Sequence, residues 1–264
     1  MSFELSRFEA ERAARGVGLG QVADWRDETE STNDDAAAAA KAGAPHGALF
    51  GAETQTRGRG RRGGQWFSTP GQGLWFSVLL RPTFAAERAP GLSLCAGLAV
   101  RAAVAERVSA DVRVKWPNDV LAGGRKLAGI LVESQLQNAR IASVVVGVGI
   151  NVAQRELPAP IADTATSLAL LSASDAGRER LLADFLEQLE LELGRLSMHG
   201  MAAVAEALAP YDALLERRLR IDALEGHGAG IDASGRLRLR LADGREELVA
   251  SGHVELLDTA ARSA

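Results

Sequence analysis

The sequence predicts an α+β protein with a mixed central β-sheet flanked by helices, followed by a small C-terminal β-barrel or open sheet. Two observations support this prediction. Helical and strand-like patterns alternate through the first part of the chain. From residue 218 to residue 257, apolar and polar residues instead alternate with a period of two, and turn residues separate the short runs. We therefore expect one large domain over residues 1–214 and a small β domain over residues 215–264.

The composition is that of a globular protein. The chain has 264 residues, of which 47% are hydrophobic and 24% charged, so it can form a real core and is neither disordered nor collagen-like. Its single cysteine, Cys95, excludes a disulfide framework and indicates a reducing, cytoplasmic location. We find no apolar signal or membrane-spanning stretch and expect no membrane association. A net charge of −4 argues against bulk nucleic-acid binding.

Helices are predicted where apolar residues recur at helical spacing, or where capping residues precede good helix formers. The clearest start lies at residues 31–35, because Ser, Thr, Asn and Asp precede an alanine run that ends before Gly43 and Pro45. The predicted helices span residues 3–15, 36–40, 92–108, 178–197 and 201–215.

Strands are predicted from short runs of apolar and β-branched residues bounded by turn residues. They span residues 22–29, 48–54, 73–81, 112–116, 126–137 and 141–152. The last strand contains an apolar run, 144–150, that is typical of a central strand buried on both faces. In the C-terminal part, turns are predicted at Glu225-Gly226, Ser234-Gly235 and Asp243-Gly244.

A segment rich in glycine and arginine follows the second predicted strand. Residues 57–64 comprise four arginines and four glycines, and Trp66 follows after Gln65. Glycine permits close backbone approach, and arginine offers planar donors for phosphate or carboxylate, so the segment is suited to wrap around an anionic ligand. A solvated basic loop and a segment that binds RNA without sequence preference are equally compatible with these residues alone.

Lysine is rare in this chain, which has 27 arginines and only three lysines. Two of the three, Lys115 and Lys126, bracket the pair Asn118-Asp119. An ammonium is a compact point charge that a guanidinium cannot replace at a crowded reacting centre. A turn followed by a hairpin is the simpler interpretation of Pro117-Asn118-Asp119, but it does not explain why lysine is used there.

Two further segments have a structural and a functional interpretation. The glycines of residues 147–151 fit a core strand that a second group approaches closely, and Asn151 stands at the strand end, where ligands often bind. Ser31 or Thr32 fits a helix cap, although a helix N-terminus also offers donors to a polar ligand. Cys95 falls in the middle of an apolar helical pattern and is interpreted as a core thiol.

Taken in order, five segments resemble the biotin–protein ligases. They are E-S-T-N at 30–33, the segment from A-E-T-Q to G-Q-W at 52–66, K-W-P-N-D at 115–119, K-L-A-G-I-L-V-E at 126–133 and G-V-G-I-N at 147–151. The order and spacing of the five make the resemblance specific. It implies the fold shared by biotin and lipoate ligases, which resembles class II synthetases, with an SH3-like C-terminal domain. Lipoate ligases and octanoyltransferases are rivals, but their loop motifs differ and octanoyltransferase needs a nucleophilic cysteine.

The resemblance implies a two-step reaction. Biotin and ATP form biotinyl-5′-AMP and pyrophosphate with the help of Mg²⁺, and biotin is then transferred to a lysine of the biotin carboxyl carrier protein of a carboxylase. Some members of the family carry an additional N-terminal DNA-binding domain and act as repressors. Only 27 residues precede Glu28 here, so we expect no specific DNA binding. The oligomeric state, monomer or homodimer, is not readable from the sequence.

The resemblance also assigns roles by position. Lys126 would bear on the biotin carboxylate and the α-phosphate, and Arg59 and Arg61 would lie in a loop that closes over the ligand, so these three are the candidate catalytic residues. The candidate biotin-binding residues are Ser31, Thr32, Asn33, Gln55, Gly58, Arg59, Gly60, Arg61, Trp66, Lys126 and Gly129. The candidate residues for ATP and the adenylate are Asn118, Asp119, Asn151 and Lys126, with Asp119 also a candidate ligand of Mg²⁺.

Two positions need comment. The family usually has arginine two residues before the tryptophan, whereas this chain has Gly64, so one phosphate-directed cation is missing and Arg62 is a candidate replacement. Lys115 belongs to a motif of the family, but the resemblance gives it no clear role, and we expect a structural ion pair. The glycine-rich loop is expected to be mobile without ligand.

Overall fold

A computed structural model describes residues 2–82, 88–89, 91–137, 140–172 and 177–257 of the chain. The last seven residues of the predicted C-terminal domain, 258–264, lie outside this range. The helices are α1 Leu5–Ala14, α2 Thr32–Lys41, α3 Gly91–Ala105 and α4 Arg178–Leu208. The first seven strands are β1 Ala23–Thr29, β2 Leu49–Gln55, β3 Gly73–Leu80, β4 Val112–Lys115, β5 Asp119–Ala122, β6 Arg125–Gln137 and β7 Arg140–Asn151. The C-terminal strands are β8 Arg218–Ile221, β9 Leu224–Ile231, β10 Leu237–Arg240, β11 Glu246–Val249 and β12 Val254–Leu256.

The first seven strands form one sheet in the order β1-β2-β3-β7-β6-β5-β4. Only β1 and β2 are parallel, and all other neighbours are antiparallel, so the predicted mixed sheet is confirmed. Strand β7 lies in the middle of this order, and its residues 144–151 are all buried. The prediction of a central strand from this apolar run is therefore confirmed. A strand that is covered on both faces has no side exposed to water and needs no polar residues.

The helices cover opposite faces of this sheet. Val144, Val146 and Val148 of β7 join the main core with α3 and α4, whereas Val145 packs with the alanines of α2. This separation follows from the two-residue period of a strand. Helix α4 is interrupted at Gly200, which has φ 76° and ψ −173°, so the two helices predicted there occur as two segments of one element. No helix in the described ranges is long and apolar enough to cross a bilayer.

Strand β5 was not predicted, because it has only four residues and begins with an aspartate. It pairs with β4 on one side and β6 on the other. The turn that joins β4 to β5 contains Pro117 and Asn118, and the Asn118 N–H donates to the Lys115 carbonyl at 3.2 Å. The hairpin interpretation of this segment is therefore confirmed.

The C-terminal strands form a five-stranded antiparallel sheet in the order β11-β10-β9-β8-β12. Of the two forms that the sequence allowed, a small barrel and an open sheet, the described strands form the open one, since β11 and β12 do not pair within the described part of the chain. The inward residues Leu219, Leu237 and Leu239 join the core of the large sheet.

Two of the three predicted C-terminal turns are confirmed. Ser234-Gly235 and Asp243-Gly244 lie between strands, and both glycines have positive φ. Gly226 instead lies inside β9, where a Cβ atom would stand 2.4 Å from the Arg240 carbonyl oxygen. This glycine therefore permits close approach of two backbones, and the actual turn uses Asp222, with φ 52°.

A buried ion pair joins the start of α4 to β2. Arg178 donates to both carboxylate oxygens of Glu53 at 2.9 and 3.0 Å, and both residues are less than 9% exposed. The same carboxylate accepts the N–H groups of Phe3 at 2.7 Å and Gly71 at 2.9 Å. Burial by itself would raise the pKa of Glu53, but the hydrogen bonds from Arg178 and Phe3 outweigh it and hold the pKa below its ordinary value.

Candidate active site

The face of the central sheet that α2 covers contains a patch without side chains. Gly129 of β6 and Gly149 of β7 pair directly, and the indole of Trp66 lies over both. A Cβ atom at Gly149 would stand 2.4 Å from Trp66, and one at Gly129 would stand 2.9 Å away. Gly147, on the same face, leaves the space that the Asn33 side chain occupies, 2.0 Å from where its Cβ would be. The glycines thus make room for other residues of the site. The sequence alone did not show which residues would occupy that space.

The glycine-rich segment forms a small hairpin over this patch. The Trp66 N–H donates to the Gly58 carbonyl at 2.9 Å, and the Gly60 N–H donates to the Gly64 carbonyl at 2.6 Å. At its tip, Arg62 and Gly63 have positive φ values of 53° and 76°. Gly58 is required by packing, since a Cβ atom there would stand 2.7 Å from the Trp66 carbonyl oxygen. The hairpin therefore brings Arg59 and Arg61 to the edge of the patch and packs Trp66 against the glycines.

The N-terminus of α2 closes the opposite side. Ser31 is the N-cap residue, but its side chain makes no capping hydrogen bond, so the interpretation of Ser31 as a side-chain cap is wrong. Gln55 instead accepts the Thr32 N–H at 2.9 Å through Oε1, and Ser77 donates to Thr32 Oγ1 at 2.8 Å. Asn33 donates to the carboxylate of Glu133 at 2.6 Å. Hydrogen bonds between polar side chains thus hold these residues in place around the N-terminus of α2.

The arginines of the hairpin are held by acidic and polar partners. Arg59 forms two hydrogen bonds with Asp34, at 2.7 and 2.8 Å, and lies 3.3 Å from Glu133. Arg61 donates to Asn118 at 3.4 Å, and burial, with a smaller contribution from Arg62, lowers its pKa. The two candidate catalytic arginines therefore differ, because Arg59 is neutralised by carboxylates whereas Arg61 points toward the Asn118-Asp119 pair.

Lys126 lies at the centre of the site. Its ammonium is 2.6 Å from the Asp119 carboxylate and 5.4 Å from the ring centre of Trp66. Its backbone pairs with the segment that follows β7, since the Lys126 N–H donates to Thr164 and its carbonyl accepts from Thr166, both at 2.8 Å. Strand β6 and this segment therefore fix the lysine from both sides.

Lys115 does not behave as expected. An ion pair was predicted, but no carboxylate lies within 4.0 Å of it among the residues that the structure describes, because Asp119 is paired with Lys126 instead. Lys115 is half-buried, and burial lowers its pKa, partly opposed by Asp119 and reinforced by Lys126. The prediction of a structural ion pair is therefore wrong.

Most of the predicted site residues line one pocket, which we call the first pocket. Asp34 and Glu133, which hold Arg59, were not singled out from the sequence, although the tight spacing of charges in both motifs was a signal. The first pocket is lined by Ser31, Thr32, Asn33, Gln55, Arg59, Gly60, Arg61, Trp66, Asn118, Lys126 and Gly129, together with Phe76, Ile130, Leu131, Gly147, Val148 and Gly149. Gly58 and Asp119 lie just behind this lining, in contact with Trp66 and Lys126 respectively.

Asn151 lies in a different place, at a second pocket on the other side of Lys126. This second pocket is lined by Gln65, Trp66, Phe67, Lys126, Asn151, Ile161, Thr164 and Ala165. The Asn151 side chain is buried, donates to the Thr166 carbonyl at 2.9 Å and accepts from Gln154 at 3.2 Å. Its amide therefore anchors the wall of the pocket. Trp66, Lys126 and Asn151 belong to the motifs of the sequence, whereas Ile161, Thr164 and Ala165 carry no motif.

The fold and the two pockets define a class of protein: an α+β protein in which polar and cationic residues on one face of a mixed sheet surround adjoining sites for small molecules. The comparisons with known proteins agree. The model of the biotin/lipoate A/B protein ligase family matches residues 27–151. The chain belongs to this family.

Three relatives illustrate the similarity. The biotin–[acetyl-CoA-carboxylase] ligase of Mycobacterium tuberculosis is 37% identical over 92% of this chain and 94% of its own. The bifunctional ligase/repressor BirA of Bacillus subtilis is 32% identical over 96% of this chain and 79% of its own. The structure of the biotin protein ligase of Aquifex aeolicus in complex with biotin and ATP superposes with a TM-score of 0.78 at 29% identity, over 90% of this chain and all of that one.

Proposed function

We propose that this protein activates biotin with ATP to give biotinyl-5′-AMP and pyrophosphate, and then transfers biotin to a lysine of a biotin carboxyl carrier protein. One observation carries the proposal: Lys126 lines both pockets. A reaction between a carboxylate in one pocket and a phosphate in the other needs a cation at their junction, because negative charge accumulates there in the transition state.

The first pocket suits biotin. Its polar groups gather at the start of α2, where Ser31, Thr32 and Gln55 can bind a ureido head, and Trp66 supplies an apolar wall over the glycine patch. Such a combination of a few ordered polar groups with apolar walls is typical of small-molecule sites. The carboxylate end of biotin would then reach toward Lys126.

The second pocket suits the nucleotide. Asn151 and Thr164 form its wall beside Lys126, while Asp119 contacts the same lysine and Asn118 lines the first pocket. Magnesium is expected as the partner of ATP and would supply charge neutralisation. Asp119 fits a metal poorly, however, because its carboxylate is already paired with Lys126 and the described residues contain no group of three metal-binding side chains. Asp119 would therefore hold Lys126 in place and would not bind a metal ion.

The hairpin of residues 58–66 would close over the adenylate. Arg61 would face the reacting phosphate, and Arg59 would fasten the hairpin to α2 through Asp34. Closure excludes water from a reactive mixed anhydride. This role requires that the hairpin opens to admit substrate, so its mobility without ligand is part of the proposal.

The remaining features of the proposal concern the whole chain. Residues 1–214 would form the catalytic domain and residues 215–264 the SH3-like domain. The carrier domain of a biotin-dependent carboxylase would be the partner, in the cytoplasm, and the protein would not act on a specific DNA sequence. The relatives named above as biotin–[acetyl-CoA-carboxylase] ligases support this choice of partner.

The test is transfer of labelled biotin to a purified carrier domain. Lys126→Ala should reduce transfer and biotin-dependent release of pyrophosphate by roughly 100-fold or more, as expected when a positioned charge is removed from a transition state. Lys41→Ala is the matched control, because Lys41 is exposed at the end of α2. Wild-type activity of Lys126→Ala would refute the mechanism, and pyrophosphate release with lipoate but not biotin would refute the substrate.

A further inference from the structure

Lys115 begins the K-W-P-N-D motif, but the proposed reaction gives it no role. It lies at the end of β4 and pairs directly with Asp119 on β5. Asp119 in turn pairs with Gly129 on β6. Residues that pair directly across strands project from the same face of a sheet. Lys115 therefore shares the face on which Lys126 and Trp66 meet the glycine patch.

On this face, three cationic side chains lie near the carboxylate of Asp119. Asp119 is the carboxylate that Lys126 contacts, at 2.6 Å, and it also attracts Lys115 and Arg61. Lys126 must turn from Asp119 toward the reacting groups if it is to stabilise them, and that movement would leave a carboxylate with only 21% side-chain exposure without its partner. A partly buried carboxylate that loses its counter-ion is destabilised, and a second cation nearby can compensate for the loss.

We propose that Lys115 is a positioning residue, which neutralises Asp119 when Lys126 turns to the reacting carboxylate and phosphate. The inference rests on the proposed function. In this arrangement Lys115 touches neither substrate and acts through Asp119. The Asp119 carboxylate passes from one lysine to the other, so Lys126 can move without leaving a partly buried negative charge unpaired.

The local structure favours such an exchange. The hairpin fixes Lys115 relative to Asp119, because their backbones pair and the Asn118 N–H closes the turn on the Lys115 carbonyl. The flexible stem of lysine then allows the ammonium to approach the carboxylate without backbone movement. Lys115 is half-buried and has no carboxylate partner within the described ranges. A half-buried ammonium without a partner bears a desolvation cost, so the approach of the Asp119 carboxylate would stabilise it.

The experiment compares Lys115→Met, which removes the charge but keeps the length, with Lys115→Arg, which keeps the charge. Single-turnover formation of biotinyl-AMP is measured with saturating biotin and ATP, and KM for each substrate is measured separately. Lys115→Met should slow adenylate formation roughly 10- to 100-fold, less than a direct transition-state donor would, with both KM values nearly unchanged. Lys115→Arg should recover part of the rate.

Arg113→Met is the matched control, since Arg113 lies on the same face of β4 but pairs with Asp111 at 2.5 Å. A raised KM for ATP with an unchanged rate would overturn the proposal, because it would make Lys115 a phosphate contact. Equal loss in Lys115→Met and Lys115→Arg, at unchanged thermal stability, would overturn it as well.

A double-mutant cycle with Asp119→Asn provides the decisive comparison. If Lys115 acts through Asp119, adding Lys115→Met to Asp119→Asn should have little further effect, whereas independent effects would multiply and refute the proposal. Should Lys115→Met fold poorly, Lys115→Gln enters the same cycle. Failure of the proposed function is distinguishable, because the wild-type protein would then release no pyrophosphate with biotin.

Discussion

Gly149 has no side chain, and the indole of Trp66 fills the space where one would be. The sequence indicated that something approaches this strand closely, but not what. The approaching group comes from the hairpin more than eighty positions away, so no local pattern could identify it. At the residue scale, the space left by the glycines therefore shapes the site as much as its side chains do.

Gly149→Ala should displace Trp66, because its Cβ atom would stand 2.4 Å from the indole. We expect a loss of about 1–3 kcal/mol in the free energy of unfolding, as is typical of overpacking, and weaker binding of biotin measured by calorimetry. Gly129→Ala should be milder, since the rim of the indole and the flexible Lys126 stem are 2.9 and 3.1 Å away.

Gly194→Ala is the control for these substitutions. Its Cβ atom would meet only Met198, at 3.8 Å, within helix α4. It should stabilise the protein by about 0.5–1 kcal/mol, because alanine favours a helix over glycine, without changing biotin binding. An unchanged biotin affinity in Gly149→Ala would show that Trp66 does not form the pocket wall.

At the scale of elements, the hairpin of residues 58–66 contains two arginines with different partners. The sequence indicated a segment suited to wrap around an anionic ligand, and the structure brings Arg59 and Arg61 to the first pocket. The sequence could not distinguish them, because their partners Asp34 and Asn118 come from α2 and from the β4–β5 turn. Only the folded arrangement assigns one arginine to a carboxylate and the other to the centre of the site.

Arg61→Gly should release biotinyl-AMP from the enzyme. Loss of one charge-assisted hydrogen bond, about 1.5–3 kcal/mol, corresponds to roughly 10- to 100-fold faster escape. The measurement is biotin labelling of a bystander protein, which the free adenylate modifies at random lysines. Arg57→Gly is the matched control, because Arg57 lies in the same segment but pairs with Glu30 outside the pocket. Unchanged target selectivity in Arg61→Gly would contradict its proposed role.

At the scale of the whole molecule, the abundance of arginine has a structural explanation. On the outer face of the C-terminal sheet, Arg220 lies between Glu225 and Glu255, while Arg238 pairs with Glu246. The hairpin arginines are also engaged, since Arg62 reaches Asp222 of the C-terminal sheet at 3.7 Å. The nucleic-acid interpretation of the arginine cluster needs guanidinium groups that are available to phosphates, and these carboxylate partners weaken it.

The buried carboxylate of Glu53 holds distant parts of the molecule together, and Glu53→Gln should cost about 3–5 kcal/mol, as expected when one member of a buried ion pair is removed. The pKa of Glu53 is lowered in the folded state. The unfolded chain therefore binds a proton more readily, and the contribution of Glu53 is complete above the unfolded pKa, about 4.3. It is lost as the pH falls through the lower, folded pKa.

Urea unfolding of the wild type and of Glu53→Gln at pH 7 and at acidic pH tests this prediction. The difference in stability should be large at pH 7 and should shrink in acid. Glu225→Gln is the control, because its ion pair with Arg220 is exposed and surface pairs contribute little. A difference that does not depend on pH would mean that Glu53 acts by shape and not by charge.

The sequence by itself determined most elements, the central position of β7 and eleven of the residues that line the first pocket. These follow from local periodicity, capping and turn residues, and from motifs that need only a short stretch of chain. The division at residue 214 and the roles of the site residues stay predictions.

Tertiary structure alone decided the open C-terminal sheet, the placement of Asn151 at a second pocket and the pairing of Asp119 with Lys126 in place of Lys115. Each depends on strand register or on contacts between distant segments. A one-dimensional pattern shows which residues can interact, but only the folded chain shows which partner lies within reach.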